Sequence, residues 1–269
     1  MKYLIFSLLI IFSFMANGGT IDPNVQDSKY LEYGAKHKCV LPIMGILDDG
    51  LNSNFRGSCV LIDRYHILTA AHIVANSITQ HVIYDNEAYS CRIVAMHSKF
   101  DSKKTGMYDI AIAKLQRPIE LDFYPELYGD GDEKGKVCSI AGYGYTGNFR
   151  TGYNIKKYDN KKRAGSNIIS GIENDVLVFN LRDSPKTTLE FMICPGDSGG
   201  GLFIDNKLAG INSCIMTHKG GILNSDIQDE SCHTRISIHK PWLDFVIKEL
   251  EKIDTDKKVE LEDKNFEFL

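Results

Sequence analysis

The chain has 269 residues, 43% hydrophobic and 25% charged, with a formal net charge of -4 at pH 7. That composition describes a globular chain long enough for one large or two modest cores. It excludes a low-complexity or repeat polymer, and the acidic balance gives no electrostatic footprint for a nucleic-acid partner.

At the N-terminus, Lys2 precedes an apolar stretch, Leu4 to Phe6 and Leu8 to Phe12, with small residues at Ala16, Gly18 and Gly19. This layout predicts a secretory signal peptide over 1–18, cut after Gly18. A retained anchor is disfavoured because the stretch falls short of the ~18 apolar residues a spanning helix needs. The expected mature protein is secreted or periplasmic/extracellular and free of the membrane. Seven cysteines, Cys39, Cys59, Cys91, Cys138, Cys194, Cys214 and Cys232, then fall where disulfides persist, and their odd number leaves at least one unpaired within the chain. No Cys or His run has zinc spacing, so neither a metal nor another cofactor is expected.

Short apolar runs follow, at Val40 to Leu47, Cys59 to Ile62, His81 to Tyr84, Ile110 to Leu115, Val137 to Ala141, Val176 to Asn180, Leu202 to Ile204 and Leu208 to Ile211. Turn residues such as Asp48-Asp49-Gly50, Asp130-Gly131-Asp132 and Asp205-Asn206-Lys207 separate them, which predicts an antiparallel all-β protein. The lysine-rich segment 145–170 reads as a solvated surface loop. One clear helix is predicted near the end, opened by Pro241 and carrying Trp242, Phe245, Val246, Leu250 and Ile253 at helical spacing. The charged residues 254–269 read as a loosely held tail.

Three settings could carry chemistry. Ser198 lies in CPGDSGGGLF, where glycines weaken a strand and so call for a reason other than stability. A serine hydroxyl needs a base to accept its proton, and that base needs an orienting partner, usually a carboxylate. Among eight histidines, His72 in LTAAHIV emerges at a strand-to-helix corner beside small alanines. Asp109 in YDIAIAKL opens an alternating strand and can turn inward. Each alone is an ordinary turn or core residue; the order His72, Asp109, Ser198 with these flanks is specific.

That order resembles the chymotrypsin-like (trypsin-like) serine proteases, whose motifs read TAAH, DIAL and GDSGG. The likeness extends from about Lys38 to Leu250 and includes Gly57-Ser58, CSIAGYG from Cys138, Gly210 to Ser213, and Thr234-Arg235-Ile236 leading to Trp242. It implies two antiparallel six-stranded β-barrels and a C-terminal α-helix: 19–130 carrying His72 and Asp109, 131–238 carrying Ser198, the helix at 239–253, then the tail 254–269. It implies an endopeptidase acting through an acyl-enzyme, with His72 as the base, Asp109 as its orienter and Ser198 as the nucleophile. Backbone N–H groups of Gly196 and Ser198 would form the oxyanion hole, and Asp197 would support them. Met192 at the pocket base, with Ser213, Ile215 and Ser231 as walls, suggests an apolar or small primary side chain rather than Lys or Arg. His233 lies near enough to favour an acidic one, although a structural role is the stronger reading.

The sequence departs from the family pattern in several places. Gly201 replaces the usual proline after GDSGG, and Ile73 stands where a half-cystine often flanks the histidine. Cys194 keeps the position whose family disulfide braces the pocket, with Cys214 favoured over Cys232 as its partner. No IVGG occurs where activation usually frees a new N-terminus to pair with the acid at Asp197. Protein or peptide substrates and protein inhibitors are the implied partners. Two other functions compete. GDSGG satisfies the G-x-S-x-G elbow of α/β-hydrolase esterases, but that fold needs a helix after the serine, where Gly199 to Ile211 reads as a hairpin. A catalytically silent binding protein of the same fold is the other.

Overall fold

The computed structural model describes residues 19–104, 106–182, 186–217 and 222–252, together with the backbone of 266–268. The expected signal segment 1–18 lies outside them. In chain order the elements are β1 (Gly19–Ile21), α1 (Asp27–Lys36), β2 (Val40–Leu47), β3 (Asn54–Leu61), β4 (His66–Thr69), α2 (Ala71–Val74), β5 (Ser77–Tyr84), β6 (Glu87–His97) and β7 (Ala111–Leu115). The second half holds β8 (Val137–Gly142), β9 (Thr146–Asn148), β10 (Gly152–Asn154), β11 (Arg163–Ile168), β12 (Gly171–Glu173), β13 (Val176–Asn180), β14 (Phe191–Met192), β15 (Gly201–Ile204), β16 (Lys207–Thr217), β17 (Asp229–Arg235), α3 (Ile236–Lys252) and β18 (Phe266–Phe268).

The expected all-β architecture with a C-terminal helix holds, with one of the two expected six-stranded barrels closed in the first half and two sheets making up the second. In the first half, strands run β6-β5-β2-β3-β4-β7, and a further β6–β7 pairing closes them into a six-stranded barrel. Its interior is filled by Ile43, Leu61, Ile67, Val82, Ala113 and Leu115. The second half is a seven-stranded antiparallel sheet ordered β11-β8-β15-β16-β17-β13-β12. A smaller sheet, β10-β9-β1-β14, lies beside it. A shared core joins the halves: Val60, Leu68 and Ile112 meet Phe203 and Ile211 there, and α3 adds Ile236, Leu243, Val246 and Leu250.

Several expectations need correction. The segment 19–36, assigned to the first barrel, belongs to the second half. Thr20 and Ile21 pair with Met192 and Phe191, and β1 also runs parallel to β9. The helix α1 was not anticipated because it has no apolar stripe. Its buried residues are Asp27, Tyr30 and Gly34, and Gly34 is there because a Cβ would meet the Lys162 carbonyl at 2.6 Å. The segment 145–170 is partly ordered into β9, β10 and β11 rather than being a simple solvated loop, and Arg163 within it is fully buried. α3 begins at Ile236, so Pro241 sits inside it instead of opening it, at the loss of a single backbone hydrogen bond in the early turns. Phe245 is 41% exposed, and Leu243 takes the core position expected of it. Most of the expected tail, and Ile253 before it, lie outside the described residues; Phe266–Phe268 pairs antiparallel with β6.

Arg163 explains how a polar segment can be held inside. Its Nε donates to Asp27 Oδ1 at 2.7 Å and its Nη2 to Asp27 Oδ2 at 2.9 Å, while Nη2 also meets Asp159 Oδ2 at 2.8 Å. A buried guanidinium stripped of a partner is costly. Asp27→Ala is therefore expected to lower stability by about 3 kcal/mol, read as a reduced urea midpoint at unchanged m-value. An unaltered midpoint would show that Asp159 alone compensates the charge.

Candidate active site

The first barrel presents two of the three expected groups. β4 ends at Thr69, and the short helix α2 turns His72 outward, so the imidazole is exposed. Asp109 precedes β7 and is 3% exposed. Its Oδ1 accepts the His72 backbone N–H at 2.9 Å, and its Oδ2 shares a hydrogen bond with His72 Nδ1 at 2.7 Å. Burial pushes the Asp109 carboxyl up, but the hydrogen bond and charge of His72 and the Ser213 hydroxyl outweigh it and hold the group below the usual carboxylate range. The Asp109 contribution to stability is thus present above the ordinary aspartate value and lost as pH falls through the depressed one.

The second half brings Ser198 beside Ser213, which itself touches Asp109, and among the described residues no hydrogen bond joins the Ser198 hydroxyl to His72. The Ser213 hydroxyl donates to Asp109 Oδ2 at 2.5 Å, and its carbonyl accepts the Ser198 hydroxyl at 3.4 Å. Ser213 can reach both because β16 bulges there: Asn212 pairs with His233 and Cys214 with Cys232, leaving Ser213 as the extra residue. Ser213 is expected as a pocket wall, but its contact with Asp109 depends on a bulge that only the register reveals.

The glycines have a steric reason. Gly199 has φ of +84°, and a Cβ there would lie 2.0 Å from the Ser58 carbonyl oxygen and 2.2 Å from Thr69 Oγ1. The two halves therefore touch through bare backbone, and the Ser58 N–H donates to the Ser198 carbonyl at 2.8 Å. The Ser58 hydroxyl donates to the Gly196 carbonyl at 2.9 Å. Among the described residues, neither the Gly196 nor the Ser198 N–H donates to a protein acceptor. Ser58, and Asn212, whose amide donates to the Asp197 carbonyl at 3.1 Å, lie in matched motifs, but their support of this loop depends on contacts between distant segments.

Asp197 is fully buried. Its carboxylate accepts the Gly144 N–H at 2.7 Å and the Cys194 N–H at 2.8 Å, yet burial pushes it up to about 7. Met192, Ile215 and Ser231 lie next to one another. Met192 and Ser231 are fully buried and touch through the Ser231 hydroxyl and the Met192 sulfur at 3.6 Å, and Ile215 stands opposite Ser231 in the sheet. His233 bonds Asn212 Oδ1 at 2.9 Å and stacks on Phe179. Burial pushes it down to about 3, so it brings no positive charge and its role is structural. Ile73 packs over Gly57, its Cδ1 3.0 Å from where a Cβ would be, and fills the place of the missing half-cystine. The expected Cys194–Cys214 bond is not formed in this structure, where all seven cysteines are free thiols, and the register sets Cys214 opposite Cys232.

The family model described as Trypsin matches residues 50–242. A chymotrypsin of Phaedon cochleariae is 28% identical over 250 residues, covering 84% of this chain and 84% of its own length. A trypsin of Simulium vittatum is 23% identical over 234 residues, covering 77% and 88%. Among solved structures, HL collagenase superposes with a TM-score of 0.63 at 16% identity, covering 82% of this chain and 96% of that one. Neuropsin of mouse brain gives 0.60 at 17% identity, covering 80% and 96%. With the match spanning most of both halves, the chain belongs to the trypsin family of chymotrypsin-like serine proteases.

Proposed function

We propose that the protein is an exported serine endopeptidase in which His72 takes the proton of Ser198 as the hydroxyl attacks the scissile carbonyl, then delivers it to the leaving amine. Asp109 fixes the imidazole tautomer and stabilises the imidazolium. The Gly196 and Ser198 N–H groups bind the tetrahedral oxyanion, where a single lost donor costs about 3 kcal/mol. The observation that carries this reading is the convergence on Ser213, whose hydroxyl holds Asp109 and whose carbonyl holds Ser198. A thioether, an aliphatic side chain and a hydroxyl at the pocket support cleavage after apolar or small residues.

Fluorophosphonate labelling mapped to Ser198 is the test, paired with casein hydrolysis. No label would leave only a silent binding protein, and turnover of simple esters without casein cleavage would favour an esterase. A peptide library is expected to show the preference for an apolar or small residue before the cut bond, and a Lys or Arg preference would reject the pocket assignment.

The same reading covers activation. Gly19 begins β1, and its N–H donates to the Tyr145 carbonyl at 2.8 Å, one residue from Gly144, whose own N–H holds Asp197. Cleavage after Gly18 would free an ammonium group on the 144–145 segment that holds that acid, and its pairing with Asp197 would need no separate zymogen step.

A further inference from the structure

Cys214 and Cys232 are directly opposed partners on β16 and β17, one residue beyond the Ser213 bulge. Opposed residues of an antiparallel pair have Cα atoms about 4.5 or 5.5 Å apart, and both values lie within the ~4.4–6.8 Å that a disulfide requires. Side chains alternate across the sheet, so neighbouring Ile215 and Ser231 face the pocket while Cys214 and Cys232 face the other way. There the cysteines pack with Val176, Val178 and Met216 in a small cluster of their own. Cys232 is fully buried, and Cys214 is half-buried.

We propose that Cys214 and Cys232 form a cross-strand disulfide on the back of the pocket wall, pinning the register that makes Ser213 bulge toward Asp109. Both are free thiols in this structure, and the neighbouring Cys214 thiol together with burial holds the Cys232 thiol well above its ordinary value. The more accessible Cys214 therefore reacts first. With a small-molecule disulfide such as glutathione disulfide as oxidant, the Cys214 thiolate attacks one sulfur and one glutathione thiolate leaves. Cys232, deprotonated as it reacts, then attacks Cys214 Sγ of the mixed disulfide and expels the second glutathione. Two protein thiols lose two electrons and two protons, and one glutathione disulfide becomes two glutathione molecules. The bond leaves Cys194 without Cys214, so the pocket would be braced across the β16–β17 pair instead of from the nucleophile loop.

The test uses the full chain equilibrated in glutathione redox buffer, alkylated, digested without reduction and mapped by mass spectrometry. The expected product is a single cross-linked species joining the peptides of Cys214 and Cys232, with two fewer thiols titrating. The oxidised protein should melt roughly 5–10 °C above the reduced one, as expected for a bridge closing a loop of this length. Cys214→Ser and the double substitution Cys214→Val with Cys232→Ala should both abolish that redox-dependent difference, the second without placing a new hydroxyl in the cluster. Alkylation of both cysteines after oxidation, or a cross-link from either to Cys194, would overturn the assignment.

Discussion

Ser198→Ala is expected to cut kcat for peptide hydrolysis on the order of 10^6-fold, the scale known for removing the nucleophile of serine proteases, and His72→Ala by a similar factor. The physical basis is that hydroxyl and imidazole act as one unit. Without the oxygen no acyl-enzyme forms, and without the imidazole the hydroxyl keeps its proton at neutral pH. The fold should survive either change. The Ser198 hydroxyl makes one long hydrogen bond of 3.4 Å to Ser213, and His72 is exposed, so neither change opens a core cavity. Residual turnover of about 10^3–10^4 over water would come from the oxyanion donors and substrate binding. The measurement is kcat/KM on a peptide substrate with circular dichroism as the fold check; wild-type rates from a folded Ser198→Ala protein would remove the mechanism. Because the substitutions are not independent, the double variant should be no slower than either single one, which distinguishes a shared step from two separate structural effects.

What the sequence disclosed about this site, and what it hid, follows from the range of the forces involved. Local signals sufficed for Val40–Leu47 and Val176–Asn180, whose apolar runs match the observed strands because both are nearly continuously buried. His72, Asp109 and Ser198 stood out because each sits in a run of small or apolar residues. The helix Asp27–Lys36 was illegible because it docks through an ion pair to Arg163, 136 residues away, and Arg163 itself looked like one more charge in a basic run. Ser213 had a readable position but an unreadable task, since its reach to Asp109 depends on a one-residue slip between β16 and β17. The pairing of Cys214 with Cys232 likewise follows from that slip, where the family pattern pointed to Cys194.

A chain whose first residue is Gly19 is expected to be about 10^2–10^3 times more active than the same chain carrying one extra residue or an acetylated Gly19. In the uncut chain Asp197 is buried with two backbone N–H donors and sits at about 7. A carboxyl raised in this way favours folding in its neutral form, so its contribution is complete below the ordinary aspartate value and fades as pH rises through about 7. Near neutrality the Gly196–Ser198 loop is thus anchored by an acid whose burial outweighs the two backbone donors and the charge of Arg163 that favour its ionised form. An ammonium at Gly19 would stabilise the carboxylate; lowering it by about three pKa units corresponds to roughly 4 kcal/mol, enough for the activity ratio stated. The new end has room only for a small residue: a Cβ at Gly19 would strike the Phe191 ring at 2.2 Å and the Met192 carbonyl oxygen at 3.0 Å. The Ile or Val of IVGG would not fit that position. The free-amine form should lose activity on the alkaline side as the ammonium deprotonates, a limb the acetylated form lacks, and Asp197→Asn should erase the difference between the two. Equal kcat/KM for free and blocked Gly19 would mean that Asp197 is held by backbone donors alone and that cleavage after Gly18 serves export without activating the enzyme.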